Sequence, residues 1–237
     1  MKEKIYTIPI NEAFEQKGFC PFCYIRKKLE KEAVEYTLGP AMMEPDFRIF
    51  TNERGFCQRH MRELNGLRNA LSLALVEDTH LDVVEGLFED VLKPEKRSVF
   101  KKEKSKKAVF AEKLKLLTNS CAVCEKVDKT FLDYIETFVF MLKTEKGFPE
   151  TVLSSDGFCI EHFASIAEKA CEILSSSDFE KHFVPIIEMQ KKRVNGFHEN
   201  IKKFEESFDY RNAGKPLEVP KDILVKTGYL LNGEFDL

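Results

Sequence analysis

Cys20-Pro21-Phe22-Cys23 and Gly55-Phe56-Cys57-Gln58-Arg59-His60, with 33 residues between Cys23 and Cys57, decide how this chain is read. The same order returns as Cys121-Ala122-Val123-Cys124 and Gly157-Phe158-Cys159-Ile160-Glu161-His162, with 34 residues between Cys124 and Cys159. Six of the seven cysteines and two of the five histidines fall in this scheme, at offsets of 101 or 102. A CxxC followed by a CxxH, written twice, reads as two Cys3His metal sites. Taken in order, Cys20, Cys23, Cys57 and His60 make one quartet, and Cys121, Cys124, Cys159 and His162 the other. The spacing does not exclude the crossed arrangement, with the CxxC of one half meeting the CxxH of the other.

The spacing has a physical reason. Residues i and i+3 of a helix share a face, so two ligands three apart can grip one ion from one helix end. Neither CxxC is followed by the glycine of a tight knuckle; Tyr24 and Glu125 stand there instead. The ligands are therefore placed in first helical turns, where free backbone N–H groups and the helix dipole favour thiolates. Gly55 and Gly157 allow an unusual backbone angle just before each CxxH. Zinc takes four such donors and leaves no position open for water, which points to structure rather than hydrolysis. Two zinc ions per chain are expected. An iron–sulfur cluster is the alternative, although cysteine usually supplies all its ligands.

Outward from the motifs, the chain reads as helices. Residues 1–19 look like an irregular lead-in containing Pro9. Pro21 suits a first helical position, and Cys23 to Leu38 continues as a charged helix stopped by Gly39-Pro40. Leu67, Leu71, Leu75, Leu81, Val84, Leu87, Phe88 and Val91 suggest one long helix from Gly66 to Leu92. Val123 through Leu142 carries the clearest helical stripe, closed by Gly147-Phe148-Pro149. Helices are expected over Ala108–Leu117, Phe158–Leu174, from Phe179 towards Phe208 with a kink or a later start at Pro185, and over Pro220–Leu231. No strand alternation is visible, so the fold class is all-α, built from two duplicated halves. The boundaries expected are a first metal-binding repeat over 1–92, a basic connector over 93–107, and a second repeat with C-terminal helices over 108–237.

Composition limits function. With 43% hydrophobic residues and 21 Phe, the chain can bury a core without relying on metal. Lys plus Arg (37) nearly cancel Asp plus Glu (40), so the net charge of −3 gives no chain-wide case for nucleic acid or an anionic membrane. The first sixteen residues lack the apolar core of a secretory signal. No stretch approaches the roughly 20 apolar residues of a membrane span. A cytoplasmic protein is expected, with reduced thiols and no membrane partner.

Weaker signals compete. Cys20-Pro21-Phe22-Cys23 is similar to the dithiol of glutaredoxin-like enzymes, but the strands that chemistry uses are missing. Glu77-Asp78-Thr79-His80 contains an Glu-x-x-His pair without the second pair of a di-iron bundle. Cys171, among Ala167, Ala170 and Leu174, reads as a buried inert thiol. The connector holds eight Lys or Arg against two Glu, which could touch nucleic acid; a solvated linker is the plainer reading.

The chain resembles a prokaryotic family of uncharacterised proteins. The likeness rests on the CxxC helix, on Leu38-Gly39-Pro40-Ala41-Met42-Met43-Glu44-Pro45-Asp46, on Thr51-Asn52-Glu53-Arg54-Gly55-Phe56-Cys57, and on the second CxxC with its Gly-Phe-Cys-x-x-His. The resemblance implies no activity, and it draws notice to Met42–Asp46 as a loop over the first metal site or a groove lining. The leading expectation is a non-enzymatic, zinc-stabilised scaffold that binds a protein or small ligand between its halves. The rivals are a thiol-based redox or metal-responsive protein using the CxxC pairs, and a nucleic-acid module using the connector.

Overall fold

The computed structural model describes residues 3–16, 20–94, 105–212, 216 and 219–233, and among them there are helices and no strand. Most of the basic connector, 95–104, lies outside the described residues. The helices are α1 Glu3–Glu15, α2 Pro21–Leu38, α3 Pro45–Arg54, α4 Gln58–Gly66, α5 Ala70–Leu92, α6 Lys106–Asn119 and α7 Ala122–Thr144. They continue with α8 Phe148–Leu153, α9 Ile160–Ile173, the single turn α10 Ser176–Asp178, α11 Val184–Glu206 and α12 Ile223–Asn232. No helix among the described residues is long and apolar enough to cross a membrane.

The chain packs as two compact units, Met1–Lys27 with Phe131–Leu237, and Lys28–Thr130. The first contains an aromatic core. Phe22, Phe138 and Phe158 are fully buried, and their rings meet edge-on or tilted with centroids 5.3–6.0 Å apart. Phe14 joins them from α1, stacked on Phe138. The second unit is aliphatic: Ala33, Val34, Leu38, Leu64, Leu73, Val76, Val123 and Val127 form its core, with Phe56 packed against it.

Three local expectations are corrected. Residues 3–15 are helical with Pro9 inside, because Ile10 and Ala13 are fully buried and Phe14 docks in the aromatic core. Burial of that face outweighs the roughly 3 kcal/mol of an interior proline. The long helix expected from Gly66 breaks at Leu67–Asn69. Arg68 takes φ 56°, and Asn69 caps α5 by accepting from the backbone N–H of Ser72. Cys171 is exposed rather than buried. At Pro185 the α-helix has the later start: a π turn over Phe179–Phe183 leads into α11, which begins at Val184. A wider turn before a proline removes the need for the missing N–H.

Candidate metal centres

Each quartet begins with helix starts. Pro21 opens α2 one residue after Cys20, and Ala122 opens α7 one residue after Cys121. The second Cys of each CxxC, Cys23 or Cys124, then lies in the first turn, as the i, i+3 spacing requires. Cys57 and Cys159 are the N-caps of α4 and α9, with φ −69° and ψ 163° or 160°, and His60 and His162 follow within the first turn. Gly55 has φ 60° and ψ −157°, and Gly157 has φ 76°. These left-handed angles, costly for other residues, turn the chain out of the preceding segment and into the ligand pair.

The eight side chains assemble as two groups, and the pairing is the crossed one. Cys20 and Cys23 meet Cys159 and His162 in the first unit; Cys121 and Cys124 meet Cys57 and His60 in the second. In each group the four donor atoms lie within 4.8 Å of one another. No disulfide joins any cysteine. We call the Cys20/Cys23/Cys159/His162 group the inner centre and the Cys57/His60/Cys121/Cys124 group the outer centre.

In the inner centre all four residues are buried. His162 Nδ1 lies 3.6, 3.4 and 3.2 Å from the sulfurs of Cys20, Cys23 and Cys159, and the last two sulfurs are 3.7 Å apart. The Gly157-Phe158 loop is held by Gln190 on α11. The Phe158 backbone N–H donates to Gln190 Oε1 at 3.0 Å, and Gln190 Nε2 donates to the Phe158 carbonyl at 2.7 Å. The far nitrogen of His162, Nε2, is buried without a hydrogen-bond partner, and the imidazole ring lies tilted beside Phe131, 5.0 Å between centroids. The end of α12 closes the centre: a Cβ on Gly233 would stand 3.7 and 3.8 Å from the sulfurs of Cys23 and Cys159.

The outer centre has the same donors with a different support. His60 Nδ1 lies 3.3 Å from each of Cys57, Cys121 and Cys124, and the Cys57 and Cys124 sulfurs are 3.9 Å apart. Here the Ala122 backbone N–H donates to the Gly55 carbonyl at 3.0 Å. Proline at the matching position 21 has no N–H to offer. Ser120 Oγ donates to the Arg54 carbonyl, and Arg54 pairs with Glu125 at 2.7 Å. His80 of α5 bonds the Asn52 carbonyl through Nδ1 at 2.7 Å, and its ring lies 2.8 Å from where a Cβ on Gly55 would be. The histidine of the Glu-x-x-His pair thus supports a loop. His60 Nε2 faces Arg59 at 3.2 Å and Glu63 at 4.0 Å, and Arg59 is itself held by Glu30 at 2.6 Å. Cys57 and Cys124 are half-buried.

The thiols share their protons unevenly, and in the same sense twice. Burial pushes Cys20 well up, with hydrogen bonds to Cys159 and Cys23 adding to it. Hydrogen bonds from Cys20 and Cys23 hold Cys159 far below the usual thiol value, against its own burial and with His162 helping. In the outer centre, burial and the neighbouring Cys121 push Cys124 up to about 12. Burial also raises Cys57, but donors outweigh it, led by the backbone N–H of His60 and the Cys121 and Cys124 thiols, and hold it below its ordinary value. A cation binding either group must displace protons from the raised thiols, so its affinity falls as pH falls.

The donor set and its spacing fit a tetrahedral ion. Bonds of about 2.3 Å to sulfur and about 2.0–2.1 Å to nitrogen give tetrahedral edges of about 3.8 Å between sulfurs and about 3.5 Å between sulfur and nitrogen. The Cys23–Cys159 and Cys57–Cys124 edges are 3.7 and 3.9 Å, the six sulfur–nitrogen edges are 3.2–3.6 Å, and all four donors of each group lie within 4.8 Å of one another. The Met42–Asp46 segment forms the link from α2 to α3: Met42 packs on the aliphatic core, Met43 is exposed, and Glu44 accepts from the Tyr36 hydroxyl.

No curated protein and no solved structure matches the chain. A family model described as a family of unknown function, DUF6062, matches residues 1–236, in agreement with the resemblance seen in the sequence.

Proposed function

We propose that the chain, which belongs to this family of unknown function, is a zinc-stabilised helical scaffold with a structural ion in each quartet. The observation that carries the reading is the closed geometry: three sulfurs and one imidazole nitrogen within 4.8 Å of one another, twice. A mononuclear ion suits these edges better than an iron–sulfur cluster, whose inorganic sulfides would hold the cysteine sulfurs further apart. Bound zinc would supply a cross-link between helix starts distant in sequence, and four protein donors leave no place for a reactive water. The residues that hold it are Cys20, Cys23, Cys159 and His162, and Cys57, His60, Cys121 and Cys124.

Elemental analysis of the purified chain tests this directly. Two zinc per chain are expected, with a lower thermal transition after chelation; iron with acid-labile sulfide, or no metal at all, overturns it. For the binding role, a cavity of about 470 Å³ between α5 and α6 is lined by the apolar Leu87, Val91, Val109 and Phe110, by Lys106 and Lys113, and by Lys93 paired with Asp90 at 2.9 Å. It suits an apolar molecule with an acidic head. Saturable binding of anilinonaphthalene sulfonate that Phe110→Glu abolishes, with both ions retained, is the expected result.

A further inference from the structure

The two quartets share donors and differ in exposure. In the inner centre Cys20, Cys23, Cys159 and His162 are 5, 8, 2 and 3% exposed. The end of α12 lies against two of its sulfurs, and the rings of Phe22 and Phe131 flank its histidine. In the outer centre His60 and Cys121 are buried, while Cys57 and Cys124 reach the surface. These are also the two sulfurs 3.9 Å apart. An oxidant arriving from solvent therefore meets a neighbouring pair of thiolates at one centre and none at the other.

We propose that the outer centre is an oxidation site: a peroxide converts Cys57 and Cys124 to a disulfide and the ion leaves, while the inner centre keeps its own. This rests on the metal reading above and adds to it which site responds, to which class of reagent, and through which atoms. One of these half-buried thiolates attacks a peroxide oxygen, giving a sulfenic acid and, after protonation, water. The second thiolate attacks the sulfenyl sulfur, forms the S–S bond and expels hydroxide, which takes a proton to become a second water. Two thiolates, one hydrogen peroxide and two protons thus give one disulfide and two waters. Two electrons pass from the sulfurs to the peroxide oxygens.

Local structure allows the step. The sulfurs must close from 3.9 Å to a bond of about 2.05 Å. Cys57 sits at the end of the irregular 55–57 link, before the first turn of α4. Rotation about its side chain changes no helical hydrogen bond. Once the pair is joined, His60 and Cys121 are the two donors left, and two of four ligands do not retain zinc against solvent. Reduction of the disulfide regenerates the quartet.

The test uses the full chain carrying Cys171→Ser, which removes the exposed thiol outside both centres. Metal is counted first. Two zinc per chain establish the premise; none means that the metal reading and this proposal fall together. Hydrogen peroxide is then titrated against a chromogenic zinc chelator, with peptide mapping of alkylated and disulfide-linked cysteines. The expected result is release of one zinc and loss of two thiols per chain, about tenfold or more faster than release of the second. The new linkage joins Cys57 to Cys124, and thiol reductant with added zinc restores two ions. Release of both ions at one rate overturns the proposal while leaving the metal reading standing. So does a first disulfide among Cys20, Cys23 and Cys159, or retention of both ions after Cys57 and Cys124 are oxidised.

Discussion

The inner and outer centres place the same donors on the same helix starts, with N-cap angles that agree within a few degrees, yet their surroundings have little in common. Gln190 on α11 grips the inner loop by both backbone groups of Phe158. His80 on α5 and the Ala122 N–H brace the outer loop. The inner histidine leaves its far nitrogen buried without a partner, and the outer one turns it to Arg59 and Glu63. Ligand geometry is thus a local property carried by a few residues of motif, whereas exposure and support come from distant helices. Two sites of one chemistry can therefore differ in lability.

The largest test of that contrast is to remove one ligand at each centre. Cys159→Ser should leave one zinc per chain and lower unfolding stability by about 3–5 kcal/mol, since it strands buried thiols in the aromatic core. Cys57→Ser should also leave one zinc but lower stability less, by about 1–3 kcal/mol, because its surroundings are partly solvated. Denaturant unfolding beside metal analysis reads both, and equal losses would erase the distinction.

Next come the loop glycines. Gly55→Ala must adopt φ 60° and ψ −157° and press on the His80 ring, for a loss of about 1–3 kcal/mol. The double variant with His80→Ala removes the clash but keeps the angle. It should recover part of the loss, and a thermal melt separates the two terms. Gln190→Ala, which strands the Phe158 N–H and carbonyl in the core, should lower stability by about 1–3 kcal/mol. It should quicken zinc exchange at the inner centre alone, as followed by isotope-resolved mass spectrometry.

The smallest effect lies outside both centres. Hydrogen bonding from Lys143, and then from Ser175, holds the Asp178 carboxyl below its usual range. Its folded pKa is depressed, so the pair contributes above the ordinary carboxyl value and is lost as pH falls through the folded one. Lys143→Met should raise the Asp178 titration midpoint, seen by NMR, without changing the zinc count.

Much of this was legible in the sequence because it is local. The i, i+3 ligands, the proline at position 21 and the glycines before each CxxH each specify one turn, and the helices around Cys23, Cys124 and His162 follow from them. The crossed pairing was not legible. With linkers of 33 and 34 residues and matching N-caps, nothing near Cys57 says which CxxC it meets; that is set by packing of aliphatic and aromatic cores. The same holds for α1, whose Pro9 argues against a helix that burial of Ile10 sustains. Arg68 and Asn69 broke an expected helix through a cap that a run of leucines conceals. His80 looked like half of a cofactor motif, and its contact with Gly55 lies across a gap of sequence that no pattern spans.

Crossed ligation also sets a timetable for synthesis. Cys23 and His162 are 139 positions apart, so at 5–20 residues per second the first thiols wait roughly 7–28 s for their partner to be made. Through that interval Cys20 and Cys23 are without their crossed partners, and Cys57 and His60 wait from their own synthesis until Cys121 and Cys124 are made. The growing chain must reach Cys124 before it can close any cage, and His162 before it can close both. Cells short of zinc, or rich in oxidant, would therefore act on this protein first while it is still being born.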